Sequence, residues 1–437
     1  MTVPLGHSRI FTPEVIDDIQ TKARLGRYRV RGFSRFTSAP HWDELMFLPA
    51  GLTRFAIEGF RDTCDTRTVL GARFAERPLE LEIPVYITGM SFGALSLEAK
   101  MALARGASMA GTATCSGEGG MIPPERELSE KWCYQLAHGR YGFNPHHLML
   151  ADAVEIVVCQ GSKGGIGGHL MGQKVTEQVA EMRTLPPHVD QRGPARHPDW
   201  LCADDLTLKI QEIREATDHQ VPIQLKIATA RVYDDVRLAA KCGPDIIYLD
   251  GAEASTGAGP HLAAEETGIP LMAAIPQARR ALEEVGLVDE IDLVVAGGLR
   301  NGGDIAKCLA LGAKAVAIGQ SALIALNCNR EIDGVTDYEG TVGVPAGRCY
   351  HCHTGRCPVG IATQDPELRV RLNVEEGALR VANFLRTLTL EVQMMARACG
   401  KTDVHNLEPE DLCALTVEAA AMARVPLAGT DYVPGVT

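Results

Sequence analysis

A strand-then-helix alternation runs through the middle of this chain. Short β-branched runs end in Gly, Ser or Asp, and Ala/Leu-rich stretches such as Leu97–Ala110, Leu206–Thr217 and Gly303–Leu311 follow several of them. Eight strands are expected: Ile83–Thr88, Gly111–Cys115, Trp132–Ala137, Glu155–Gln160, Ile223–Ala228, Asp245–Asp250, Asp292–Ala296 and Ala315–Gly319. Several are continuous apolar runs, the pattern of strands buried on both faces of a parallel sheet. Eight such units over roughly 240 residues predict an α/β chain folded as a (β/α)8 TIM barrel. An open doubly wound sheet shares the local pattern, but no G-x-G-x-x-G follows the first strand. The expected organisation is an N-terminal extension over residues 1–78, the barrel over 79–325, a cysteine-bearing loop over 326–365 and a C-terminal helical segment over 366–437. In that last segment a helix is predicted over Gly377–Cys399, with Gly400 placed as its C-cap.

Composition excludes several classes. Lys plus Arg is 43 and Asp plus Glu is 55, so the net charge is −12. An acidic chain with no Lys/Arg block is a poor nucleic-acid binder. No window approaches ~18 uncharged apolar residues, so no membrane span is expected. Met1 to Ile10 holds no apolar run of signal-peptide length, which predicts a cytoplasmic protein. Thirteen cysteines without a secretion signal argue against a disulfide framework and leave some free to bind metal.

Glycine clusters where strands should end, and on a barrel that is the catalytic face. The runs are Thr88–Gly93, Ser116-Gly117-Glu118-Gly119-Gly120, Gly161-Ser162-Lys163-Gly164-Gly165-Ile166-Gly167-Gly168, Asp250-Gly251 with Ser255-Thr256-Gly257, Gly297-Gly298 and Gly319-Gln320. Tight βα turns would explain any one of them. Six at one end of a barrel point to a ligand that approaches the backbone closely. The loop Gly297–Gly303, followed by a helix, suits a phosphate. Lys226 lies in a strand, where an ammonium needs a partner or a place at the mouth. It could face a negative charge on a flavin ring, or sit in a structural ion pair.

Three thiols fall within nine residues at Cys349, Cys352 and Cys357, and Cys328 lies upstream. Thiolates select zinc or iron–sulfur clusters. Pro358 after the last Cys suits a cluster, while His351 and His353 keep a structural zinc open.

Taken together, Gly89–Ser96, Ser116–Gly120, Gln160–Lys163, Gly297–Leu299, Cys352-His353 and Cys357–Gln364 resemble the synthase domain of the glutamate synthase family, from about Asp43 to Leu412. The resemblance implies FMN at the barrel mouth, contacted by Met90, Ser91, Gln135, Lys226, Gly297, Gly298, Gly319 and Gln320. It implies a [3Fe–4S] cluster on Cys328, Cys352 and Cys357. The stretch Asn329–His351 is inserted between the first two of these and carries Cys349, whose thiol could complete a [4Fe–4S] cluster. The implied chemistry is hydride transfer at the α-carbon of glutamate and 2-iminoglutarate, with Lys226, Lys163 and Glu118 as catalytic residues. Lys163 and Arg231 are candidates to hold substrate carboxylates. Ile166 stands where the family carries Glu, and an acidic residue is replaced near Thr229-Ala230, so the partner molecule or the coupling to ammonia supply is expected to differ. Thr2 is no glutaminase nucleophile, and no glycine-repeat β-helix is seen. Those functions are expected on a glutaminase-like subunit and a β-helix subunit of a hetero-oligomer. A free-standing subunit of this size is similar to the third subunit of N-methylglutamate synthase, which joins methylamine to glutamate. A split glutamate synthase using 2-oxoglutarate and ammonia is the second expectation.

Overall fold

A computed structural model describes residues 10–331 and 338–435. Residues 1–9, on which the reading of the chain start rests, and 332–337 of the cysteine-bearing insert lie outside the described residues.

Eight parallel strands form one sheet: β1 (Val85–Ile87), β2 (Thr114–Cys115), β3 (Trp132–Leu136), β4 (Ala153–Val157), β5 (Ile223–Ala228), β6 (Ile246–Asp250), β7 (Asp292–Ala296) and β8 (Ala315–Ile318). Pairing runs unbroken from β2 through β8 and back to β1. Between β1 and β2 the Ile87 N–H donates to Ala113 O at 3.0 Å and the Thr112 hydroxyl to Val85 O at 2.7 Å. The sheet is thus nearly closed, as a (β/α)8 barrel requires. All eight expected strands are present. β2 keeps only its last two residues, because Gly111 turns at φ +69° and Thr112 spends its hydroxyl on the neighbouring strand. β4 starts two residues earlier than expected and stops at Val157, since the Val158 and Cys159 N–H groups both turn to Lys226 O.

Side chains alternate across each strand. Tyr86, Cys115, Cys133, Ala153, Ile246, Tyr248, Val294, Ala296, Ala315 and Ala317 pack together in the barrel interior. The alternate set, including Val85, Ile87, Tyr134, Leu225, Ile247 and Val295, packs against the surrounding helices. A hairpin of Thr68–Leu70 and Leu79–Leu81 closes the N-terminal end, where Leu70, Leu79 and Leu81 join the interior cluster.

The helices begin where their caps predict. Ser96 Oγ accepts from Ala99 N at 3.1 Å to start α1 (Leu97–Met109), and Asn301 Oδ1 from Asp304 N at 2.9 Å to start α2 (Gly302–Ala310). Asn373 caps α3 (Val374–Ala398), three residues ahead of the expected start. Gly400, at φ +80°, follows its end, and Lys401 N donates back to Ala396 O at 2.9 Å. α3 lies against α1 and α2. Gly106 permits the first contact, because a Cβ there would stand 2.8 Å from Ala378 O.

The N-terminal extension is part of the working face. Val30–Phe33 pairs antiparallel with Thr256–Pro260, in the loop after β6. Further along, Leu45–Phe47 pairs with Leu412–Ala414. Among the described residues no helix is long and apolar enough to cross a membrane.

Candidate functional site

At the C-terminal ends of the strands lies a cavity of about 790 Å³. Every predicted cofactor contact lines it: Met90, Ser91, Gln135, Lys226, Gly297, Gly298, Gly319 and Gln320. So do Lys163, Glu118 and Cys352. The barrel places most of them there because they lie near or just past the C-terminal ends of strands in the same parallel sheet; Cys352 is brought in by the cysteine-bearing loop instead.

Lys226 is buried. Its Nζ stands 3.5 Å from Asp250 Oδ2, 3.4 Å from Thr88 Oγ1 and 4.4 Å from the centre of the Tyr248 ring. Burial opposes its charge, but Asp250 and Glu155 outweigh burial and hold its pKa above the usual lysine value. The cavity wall therefore carries a fixed ammonium.

Lys163 sits on a short 3-10 turn, Gly161–Lys163, after β4, and donates to Ala258 O at 3.0 Å. Burial pushes its pKa down to about 8, against the pull of Glu118. Glu118 lies over Gly168, where a side chain would collide with its carboxylate. Glu253, after β6, accepts from Leu271 N, and burial raises its pKa to about 7.

Gly297 (φ +134°) and Gly298 (φ +66°) turn the chain into α2 at one end of the cavity, and Gly319 N-caps a second short helix, Gln320–Ala325. Two groups of backbone N–H at helix starts suit a phosphate. Arg300 also lines this end, paired with Asp43 at 2.6 Å and Asp304 at 2.9 Å.

Several lining residues lie outside the predicted set. Ser34, Arg35, Thr37, Ser38, His41 and Asp43 of the N-terminal extension roof the cavity, and His169, Asp250 and Glu253 complete its walls. Asp250 ends a strand and had a signal. The roof had none, since its position depends on the pairing of Val30–Phe33 with a loop more than two hundred residues away. Arg231, expected on a substrate carboxylate, is exposed at the start of the helix Val232–Lys241 and does not line the cavity. Ile166 and Thr229 do not line it either. Thr229 is buried, with its hydroxyl donated to Ile269 O at 2.7 Å. The loop after β4 reaches the cavity through Gln160, Lys163 and His169 instead.

The four thiols converge beside this cavity. Cys328 accepts from Gln320 Nε2 at 3.4 Å and Asn329 Nδ2 at 3.7 Å. Asn329 also bridges to Cys349, whose N–H donates to Asn329 Oδ1 at 2.6 Å. Cys352 packs against Gly32, where a Cβ would stand 2.7 Å from the cysteine Cβ. Burial, and then the neighbouring Cys352, Cys357 and Cys349, push the Cys328 thiol up. Burial and Cys357 push Cys352 up to about 12. Lys174, fully buried, donates to Cys352 O at 2.9 Å and to Ala94 O at 2.7 Å. Among the described residues no three His, Cys, Asp or Glu side chains are gathered to hold a single metal ion.

A family model described as "Conserved region in glutamate synthase" matches residues 54–402. The chain belongs to the glutamate synthase family. A "Glutamate synthase large subunit-like protein" of Rhizobium meliloti is 50% identical over 432 residues, covering 99% of this chain and 97% of that one. An "Archaeal-type glutamate synthase [NADPH]" of Thermotoga neapolitana is 36% identical over 426 residues, covering 92% and 80%. Among solved structures, the flavin-binding domain of Baker's yeast flavocytochrome b2 superposes with a TM-score of 0.51 at 18% identity, over 85% of this chain and 76% of that one. That likeness establishes the fold of this glutamate synthase-family chain.

Proposed function

We propose that this chain is the FMN- and iron–sulfur-bearing catalytic subunit of a glutamate synthase-type enzyme, handling hydride at the α-carbon of glutamate and 2-iminoglutarate. The observation that carries the reading is that Cys352 lines the same cavity as Lys226 and the glycine loops. Fit favours FMN: the cavity has the volume of a cofactor site, a phosphate cradle at Gly297-Gly298 and Gly319-Gln320, and a buried ammonium at Lys226. Cys328, Cys352 and Cys357 would hold a [3Fe–4S] cluster, with Cys349 as the candidate fourth ligand of a [4Fe–4S] cluster. When bound, FMN supplies a two-electron hydride acceptor and donor, and the cluster a one-electron carrier.

The protein's own groups then have distinct tasks. Lys226, kept charged by Asp250, holds negative charge at the cofactor. Lys163 binds a substrate carboxylate through its buried ammonium. Glu118 accepts a proton from the substrate's α-ammonium nitrogen, which leaves the amine neutral for oxidation. The stretch from Ser34 to Asp43 covers part of the cavity and would limit the access of water to these charges.

We propose that the amine is methylamine, making this the N-methylglutamate synthase subunit. Glutamate plus methylamine giving N-methylglutamate plus ammonia is redox-neutral and needs no external donor. The loop after β4 lines the cavity with Lys163 and His169 and brings no carboxylate there, since Ile166, which stands where the family carries Glu, lies off the cavity; that supports an altered amine site. Glutaminase-like and β-helix subunits would complete a hetero-oligomer. A split glutamate synthase is the second reading, favoured by the names of the relatives. The test is turnover by the reconstituted complex. Product from methylamine and glutamate without reductant supports the first reading; strict need for reductant, glutamine and 2-oxoglutarate supports the second.

A further inference from the structure

Below the cavity, three neighbouring strands place Gln135, Glu155 and Gln224 at one level. The register pairs Gln135 with Glu155 and Glu155 with Gln224, so their side chains enter the barrel interior side by side. Gln135 Nε2 donates to Glu155 Oε1 at 2.5 Å, and Gln224 Nε2 donates to Glu155 Oε2 at 2.5 Å. Tyr86 Oη donates to Gln224 Oε1 at 3.1 Å, which fixes the second amide from its other side. Glu155 is 1% exposed, and both its oxygens are occupied. An ionised carboxylate only accepts hydrogen bonds, so the amide nitrogen of each glutamine must turn toward it. Gly89 leaves room for the Gln135 amide: a Cβ there would stand 2.5 Å from Gln135 Nε2.

We infer that Glu155 is a positioning residue: by taking the amide N–H of Gln135 it leaves the Gln135 carbonyl oxygen for the cavity, making that wall a hydrogen-bond acceptor for an N–H of the bound flavin. Gln135 itself reaches the cavity, and Glu155 does not. The inference rests on the FMN reading. Without Glu155, the Gln135 amide can present either end, and the wall loses its fixed polarity.

FMN titration of the full-length protein, followed by quenching of flavin fluorescence, tests this with Glu155→Gln, Gln135→Leu and the double variant. Glu155→Gln should weaken FMN binding about tenfold, Gln135→Leu by a similar factor, and the double variant no more than Gln135→Leu alone. Equal weakening by Glu155→Gln in both backgrounds would place its effect on the Lys226 charge or on the fold rather than on Gln135 and overturn the inference, as would an unchanged Kd. Should Glu155→Gln fail to fold by circular dichroism, Glu155→Asp, which keeps the acceptor but retracts it, should give a smaller loss that again vanishes in the Gln135→Leu background. Failure of the parent protein to bind FMN would overturn the cofactor reading, and this inference with it. Binding by the parent with additive variants would overturn this inference alone.

Discussion

Glu125 offers a sharp test of how the cavity rim is held. It stands 2.7 Å from Lys100, and both side chains are at most 2% exposed. Lys100 Nζ also donates to Met90 O at 2.6 Å, Cys115 O at 3.1 Å and Ser116 O at 3.0 Å, which ties together the ends of β1 and β2. Beyond that ion pair, neither Glu125 carboxylate oxygen has a hydrogen-bond partner. Burial pushes the Glu125 pKa up to about 7 from 4.5, although Lys100 pulls it down. The folded state therefore holds the Glu125 proton more tightly than the unfolded chain does. Stability contributed by this proton is complete below the unfolded value and lost as pH rises through about 7. Linkage between these two pKa values gives a loss of about 2.5 kcal/mol between about pH 5 and about pH 8. Glu125→Gln cannot titrate, so this site adds no pH dependence to the variant's stability. Reversible urea unfolding at the two pH values should show the variant gaining about 2.5 kcal/mol on the parent from the acid to the alkaline measurement. A constant difference, or one of opposite sign, would mean that Lys100 keeps Glu125 ionised throughout. The account of the rim would then be wrong.

Three further outcomes are expected. Gly298→Ala forces a side chain into φ +66° and to 2.8 Å from Glu253 Cβ; it should cost about 1–2 kcal/mol and weaken FMN binding, measured by titration, more than Gly303→Ala does. Lys163 loses its charge above about 8, so KM for glutamate should rise on the alkaline side of that value while kcat changes less. A Lys163→Gln variant should lack that pH limb, and its persistence would remove Lys163 from the carboxylate role. Under the [3Fe–4S] reading Cys352→Ser should lose the cluster while Cys349→Ser keeps its iron content and spectrum; loss of one iron per chain from Cys349→Ser would assign it as a fourth ligand.

Much of this was readable along the chain. The eight strands could be read because each is buried on both faces and so carries its signal locally, as in Ile223–Ala228 and Asp292–Ala296, whose ends match the expectation. Candidate residues at strand ends, including Lys226, Gln135 and Gly297-Gly298, could be placed at one mouth because parallel strands of a barrel all point the same way. Arg231 was misplaced because it stands one turn beyond the strand end. It stands at the N-cap position of the next helix, without a capping side-chain bond, and does not line the cavity.

Other features depend on long-range pairing. Nothing local marks Ser34 to Asp43 as a roof; the pairing of Val30 with Pro260 puts it there. Glu155 read as one polar residue at the edge of an expected strand. Only the register, which sets it between Gln135 and Gln224, gives it a task. The sequence alone determined the barrel and the chemistry gathered at its mouth, because burial periodicity and strand-end glycines are local consequences of backbone geometry. The tertiary structure alone decided which side chains share a hydrogen bond or a charge, because strand register and loop closure bring together residues that no local pattern connects.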